Sequence, residues 1–125
     1  MKEYTKERLR AFEKNEKAAV EPFKEFPEFD FVRDFCCSGS AQVGNGGYLI
    51  LWHAKELEKL NRMYCVKTFL TNSFLIGSDG GDMAYGVNSH GEFILVPFIG
   101  MNDHAVRIIA RSFDEFIEYV ANLSQ

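Results

Sequence analysis

Apolar positions along this chain are spaced differently in its two ends and its middle. Residues 1–34 hold 17 of the 32 charged side chains, with the signs nearly balanced. That leaves only Leu9, Phe12, Ala19 and Val20 as a thin apolar face for a helix. Thr5 is placed to cap such a helix, which would run to about Val20 and end at Pro22. Its stability would come mainly from packing, since the Glu13–Lys17 pair adds only a few tenths of a kcal/mol. Then Phe23, Phe26, Phe29, Phe31 and Phe35 place five of the twelve phenylalanines within thirteen residues. Phe26 and Phe29 fit a helix, whereas Phe29 and Phe31 fit a strand, so periodicity leaves the conformation open. These rings read either as core aromatics under a covering segment or as an exposed patch for a partner.

All ten glycines lie between Gly39 and Gly100, which makes the middle turn-rich and favours helices at the ends. Gly39 to Gly47 reads as a loop. Tyr48 to Trp52 is a continuous apolar run suited to a buried strand. Residues 54–64 read as a helix with Leu57, Leu60 and Tyr64 on one stripe. Residues 66–76 are β-rich with an interruption at Thr71–Ser73. Gly77 to Asp82 is a tight turn between strands, and Met83 to Asn88 is the next strand. Asn88 to Gly91 is a hairpin-like turn with glycine where φ must be positive. Glu92 to Phe98 follows, with Pro97 confined to an edge or a strand end. Ser112-Phe-Asp-Glu115 is a capping box. Behind it Phe113, Phe116, Ile117 and Val120 share one face of a docking helix.

These elements sum to an α+β fold over residues 1–125, taken as one domain. Its central sheet is mostly antiparallel or mixed, of four to six strands, built from about 48–52, 66–76, 83–88 and 92–98. The helices near 54–64 and 112–123 pack beside it. A chain of 125 residues can build one core without staples. Its 46% hydrophobic and 26% charged residues are those of an ordinary soluble globule.

A net charge of −4 argues against direct nucleic-acid binding by phosphate neutralisation. The apolar runs, such as Ile94 to Met101, fall short of the ~20 residues a spanning helix needs, so no membrane is expected. The first residues carry no apolar signal core. Cys36, Cys37 and Cys65 are odd in number, and two are adjacent, a spacing that rarely closes a disulfide. Both features fit buried thiols in a cytoplasmic protein.

Candidate chemistry is sparse. Gly44 to Gly47 precedes a strand, whereas a dinucleotide fingerprint follows one. The 77–82 turn carries Asp79 and Asp82 and no lysine, the reverse of a phosphate cradle. The same carboxylates are hard ligands, but too few for an EF-hand type of loop. His53, His90 and His104 form no metal-binding spacing. No catalytic residue, metal or cofactor is therefore assigned. Asp79, Asp82, Glu92 and Asp103 lie in or near predicted turns, and a shared rim of them would attract a basic partner. Trp52 reads as a core residue at a strand end or as an interface anchor.

An ordered series of motifs resembles the SUKH superfamily, which includes Smi/Knr-type cell-wall regulators and bacterial immunity proteins. It comprises Asn45-Gly-Gly47, Tyr48 to Trp52 followed by Glu56, Leu57 and Asn61, and Phe74 to Asp82 with its Gly-Ser-Asp-Gly-Gly. Ala84-Tyr85, Val96 to Met101 and Ala110 to Val120 complete it. Residues 1–44 diverge from the pattern, with Phe26-Pro27 and the Phe-rich stretch where the family has two helices. The resemblance implies a non-enzymatic binding domain. Its partner would be a cognate toxin, such as a nuclease-type domain, and the residues expected to contact it are the turn carboxylates Asp79, Asp82, Glu92 and Asp103, with Trp52. A cell-wall scaffold is the alternative, and a small ligand-binding domain or enzyme using Asp79 and Asp82 a third reading. The oligomeric state is left open.

Overall fold

Seven strands follow one another as a meander in the computed structural model, which describes residues 1–35 and 37–123. They are β1 (Glu13–Lys14), β2 (Cys37–Gln42), β3 (Tyr48–Leu51), β4 (Ser73–Ser78), β5 (Met83–Asn88), β6 (Phe93–Pro97) and β7 (Arg107–Ala110). Each pairs antiparallel with the next. The helices are α1 (Glu3–Arg8), α2 (Leu57–Met63), α3 (Val66–Phe69) and α4 (Phe113–Ala121). The fold is α+β as expected, but the sheet exceeds four to six strands.

The added strands lie where apolar patterning is weak. β2 takes up the first part of the expected 39–47 loop, leaving 43–47 as its turn, and its Cys-Ser-Gly-Ser-Ala-Gln carries no apolar run. It is held by neighbours on both sides, with Gly39 opposite Leu51 and Ser38 opposite Glu13. β7 is a four-residue edge strand, shifted in register against β6 between Phe93 and Ile94. Residues 66–76 are not one strand. The chain leaves α2 through Cys65 in the left-handed region (φ 54°), forms α3, and joins the sheet only at Ser73. Val66 and Leu70, four apart, are both buried, which is a helical burial pattern.

The N-terminal helix stops at Arg8 instead of reaching Val20. Thr5 is not its cap. Thr5 is buried, and its Oγ1 donates to Asp114 Oδ1 at 2.6 Å. The Lys2 amide donates to the same oxygen at 2.8 Å. That carboxylate, in the first turn of α4, ties α1 to α4, and these two bonds lower its pKa from the ordinary carboxylate value.

The Phe-rich stretch is a 3-10 helix over Pro27–Asp34. Three residues per turn align Phe26, Phe29 and Val32 on one face, and all three are buried. Phe23, Phe26 and Phe29 surround the Phe74 ring at centroid distances of 5.3, 5.1 and 5.3 Å. Phe35 continues the layer onto Phe93 and Phe113. Core aromatics under a covering segment is thus the reading the structure bears out.

Two carboxylates hold that segment in place. Glu58 of α2 accepts the successive amides of Lys24, Glu25 and Phe26 at 3.1, 2.7 and 2.9 Å. Asp30 accepts the Phe23 amide and binds Arg33 through Nε and Nη2, both at 2.7 Å. The Arg33 guanidinium holds the Asp30 carboxyl down at about 2.

Core packs on both faces of the sheet. On one, Phe74, Ile76, Tyr85, Val87, Phe93 and Leu95 meet α4 and the Phe-rich segment. On the other, Leu75, Ala84 and Val96 meet Val66 and Leu70 of α3 and Met101 of the 98–106 connection. The α4 cap is as expected, with the Glu115 amide donating to Ser112 Oγ at 3.2 Å. The Glu115 side chain, however, accepts from the amide of Arg111 at 2.9 Å. Pro97 closes β6, and Gly91 takes φ +79° in its hairpin turn.

The expected helical stripe Leu57, Leu60, Tyr64 is rotated. Leu57 and Asn61 point inward, Leu60 is half-buried and Tyr64 is exposed. No helix among the described residues is long and apolar enough to cross a membrane.

Candidate functional site

The residues singled out in the 77–82 turn are shaped first by local hydrogen bonding. Gly77 is required by close approach, since a Cβ there would lie 1.9 Å from the Ile50 carbonyl oxygen of β3. Ser78 Oγ accepts the Gly80 amide at 3.1 Å. Asp79 Oδ1 accepts the amides of Gly81 and Met83 at 2.8 and 3.2 Å. One Asp79 oxygen is therefore a turn former. Asp82 is exposed. Its backbone carbonyl accepts the Phe98 amide at 3.0 Å, which fixes the end of β6 beside the turn.

Phe98 begins an aromatic series on the surface. Its ring lies 5.0 Å from that of Tyr64, and Tyr64 stacks on Trp52 at 5.8 Å and 12°. Trp52 and Phe98 are half-buried against the second core, whereas Tyr64 is 42% exposed. Ile99 projects from the following turn at 91% exposure. On the other side of the 77–82 turn, Tyr48 is 45% exposed. A Cβ on Gly80 would lie 2.9 Å from its ring, so turn and ring are packed together. The Tyr48 hydroxyl is hydrogen-bonded to Ser40 Oγ.

This end of the sheet thus presents Tyr48, Trp52, Tyr64, Phe98 and Ile99 around a turn bearing Asp79 and Asp82. Residues 68–106 contain neither lysine nor arginine. Arg62, near Tyr64 in sequence, is engaged with Glu25 at 2.9 Å. Aromatic side chains that are half-exposed and pre-stacked are the groups enriched at the centres of protein interfaces. Their spacing, from β3, the end of α2 and the end of β6, has no local sequence signature. The long gap between Lys67 and Arg107 is the signal that was readable.

Of the five expected partner-binding residues, Trp52, Asp79 and Asp82 converge here, and Glu92 and Asp103 do not. Glu92 lies at the opposite end of β5, about 17 Å of strand away. It accepts Asn88 Nδ2 at 3.0 Å and faces Arg111 Nε at 3.9 Å. Asp103 follows the connection that crosses the second face. There it receives the Thr71 amide and hydroxyl, both at 3.0 Å, beside the start of β4. The four acidic side chains therefore do not form one rim, because the two hairpin turns close opposite ends of β5.

A separate cleft of about 550 Å³ opens between α1, β1 and the 27–34 helix. Leu9, Phe12, Phe35, Lys14, Lys17 and Cys37 line it, and neither Asp79 nor Asp82 takes part. Burial pushes the Cys37 thiol up to about 12, so it stays protonated at neutral pH and is a poor nucleophile. Cys65, at the α2–α3 junction, is also a free thiol, but it is exposed where the sequence suggested a buried one. Cys36 lies outside the described residues. Among those residues no three His, Cys, Asp or Glu side chains gather to hold a metal ion. Comparison with protein-family models and with curated protein sequences found no match for this chain.

Proposed function

We propose that this chain is a SUKH-type protein-binding domain, an immunity protein that binds a toxin domain in the cytoplasm and neutralises it. The observation that carries the reading is the pre-stacked Trp52–Tyr64–Phe98 series with Ile99 standing beside it. Half-exposed rings already held in place lose little side-chain entropy on docking, which favours their use as anchors. The motifs that carry the resemblance support the reading through what they build. The Gly-Ser-Asp-Gly-Gly turn and the Val96 to Met101 segment together frame this surface. A toxin is then stopped by occlusion, with no bond made or broken by the binding domain.

The test is co-expression with the toxin encoded beside this gene. Growth rescue together with co-purification supports the reading. Loss of rescue alongside a measurable turnover by this protein overturns it.

A further inference from the structure

We infer that the partner seats an arginine or lysine side chain, flanked by apolar residues, between the Trp52–Tyr64–Phe98 series and the carboxylate of Asp82. This deepens the protein-binding reading and rests on it. Three features select that chemistry over an acidic or purely apolar partner.

The first is electrostatic. The turn and the connection that frame the surface come from residues 68–106, which carry neither lysine nor arginine. Asp82 is exposed, and its carboxylate makes no hydrogen bond among the described residues. Asp79 spends one oxygen on two turn amides and adds negative charge beside it. An acidic partner would meet uncompensated like charge here, whereas a basic one is drawn in and oriented.

The second is the form of the apolar surface. Trp52, Tyr64 and Phe98 present aromatic rings beside that charge. Ring faces attract a guanidinium or ammonium, Trp most strongly. The aliphatic stem of the same side chain packs on the rings while its head reaches a carboxylate.

The third is Ile99. At 91% exposure it is available to an apolar neighbour of the basic residue, so the expected recognition element alternates basic and apolar side chains.

The protein carries a single tryptophan, Trp52, so its emission reports directly on this surface. The probes are the peptides acetyl-Leu-Arg-Leu-Arg-Leu-amide and acetyl-Leu-Glu-Leu-Glu-Leu-amide. The arginine peptide is expected to change Trp52 emission saturably below about 1 mM, and the glutamate peptide is not. Asp82→Lys and Ile99→Asp each weaken the arginine peptide by about tenfold or more. Glu28→Lys, the same charge change at an exposed site on the Phe-rich segment, leaves it within about twofold. The inference is overturned by equal response to both peptides, by no saturable response to the arginine peptide, or by Glu28→Lys weakening it as much as Asp82→Lys. Self-association through this face, seen as a dimer in sedimentation that Ile99→Asp abolishes, overturns it as well.

Failure here is separable from failure of the proposed function. Toxin rescue that survives Asp82→Lys removes the basic-anchor inference and keeps the immunity reading. Specific arginine-peptide binding without rescue by any neighbouring toxin, alongside a measurable turnover, does the reverse.

Discussion

The side chain of Asn61 pairs with Leu75 as a neighbouring strand would. Its Nδ2 donates to the Leu75 carbonyl at 2.8 Å, and its Oδ1 accepts the Leu75 amide at 2.7 Å. The pairing is needed because β3 accompanies β4 only along Ser78 and Gly77, with one further bond from the Trp52 amide to the Ile76 carbonyl. Beyond that point the edge of β4 turns under α2, where water cannot serve it. Asn61 is fully buried and also donates to the Leu57 carbonyl one turn back. Asn61→Leu keeps the branched shape of the side chain and strands both Leu75 groups. A buried backbone group left unpaired costs about 1–3 kcal/mol, so the variant should lose about 3 kcal/mol in urea unfolding. Asn61→Asp should be destabilising as well, because it turns a charged oxygen toward two carbonyls.

Gly46 is fixed by a different constraint, close packing against the end of α4. A Cβ there would lie 2.2 Å from the Ala121 carbonyl oxygen and 2.4 Å from that of Val120. The adjacent Gly47 amide donates to the Val120 carbonyl at 2.8 Å. The Asn45-Gly-Gly47 motif therefore receives the last turn of α4, where carbonyls lack helical partners. Gly46→Ala should cost about 1–3 kcal/mol by overpacking. Amide exchange should accelerate at Gly47 and in the last turn of α4 before it does in β5. Uniform acceleration across the sheet would show that the loop is not a local clamp.

Where the sequence could be read, side chains and local backbone told the same story. Phe113, Phe116, Ile117 and Val120 make one helical face, and the strands from Met83 to Phe98 are bounded by turns whose glycines and aspartates bond locally. Legibility failed where a residue's partner lay far along the chain. Thr5 looks like a cap until Asp114, more than a hundred residues away, takes its hydroxyl. β2 has almost no apolar signal, since its place is set by β1 and β3. Glu58 stands among the charged residues of α2, with nothing local to mark a partner, yet it binds three amides of the covering segment. Phe26, Phe29, Val32 and Phe35 are spaced by three, a 3-10 period that neither the α-helical nor the strand pattern describes. At the candidate site, the turn chemistry was legible but the meeting of Trp52 with Tyr64 and Phe98 was not, because three separate elements supply the rings.

The Glu58 contacts make the Phe-rich cover separable from the sheet. Glu58→Ala removes the acceptor from the amides of Lys24, Glu25 and Phe26 together. Hydrogen bonds to a charged acceptor are worth about 1.5–3 kcal/mol each at most, and partial exposure reduces that here. The expected loss is about 2 kcal/mol, with faster proteolysis between residues 20 and 35. Glu58→Gln should recover part of it by keeping an acceptor oxygen.

Acid should loosen the same cover. The folded Asp30 carboxyl is held at about 2 by Arg33, below its ordinary 3.8. The unfolded chain therefore takes up that proton first as pH falls. The contribution of Asp30 is whole above about pH 4 and is lost as pH drops through about 2. Asp114 is lowered too and acts in the same direction at the α1–α4 contact. Thermal midpoints measured between pH 5 and pH 2 should fall, and Asp30→Asn should flatten that slope while lowering the midpoint at pH 5. An unchanged slope would assign the acid sensitivity to other carboxylates.

Docking and folding should come apart at Ile99. The side chain is 91% exposed, so it contributes little buried area, and surface changes of this kind usually fall within ±0.5 kcal/mol. Ile99→Asp should leave the urea midpoint almost unmoved and, on the proposed toxin-binding role, abolish growth rescue in the co-expression test. Tyr64→Ala is the contrasting case. It strips the Trp52 indole of a stacked partner at 5.8 Å and the Phe98 ring of its neighbour. A stacked aromatic pair is worth about 0.5–1.5 kcal/mol, so stability should fall by about 1 kcal/mol and Trp52 emission should shift to the red. Should Ile99→Asp instead unfold the protein, Ile99 would be a packing residue, and the exposed surface at this end of the sheet would lose its outermost anchor.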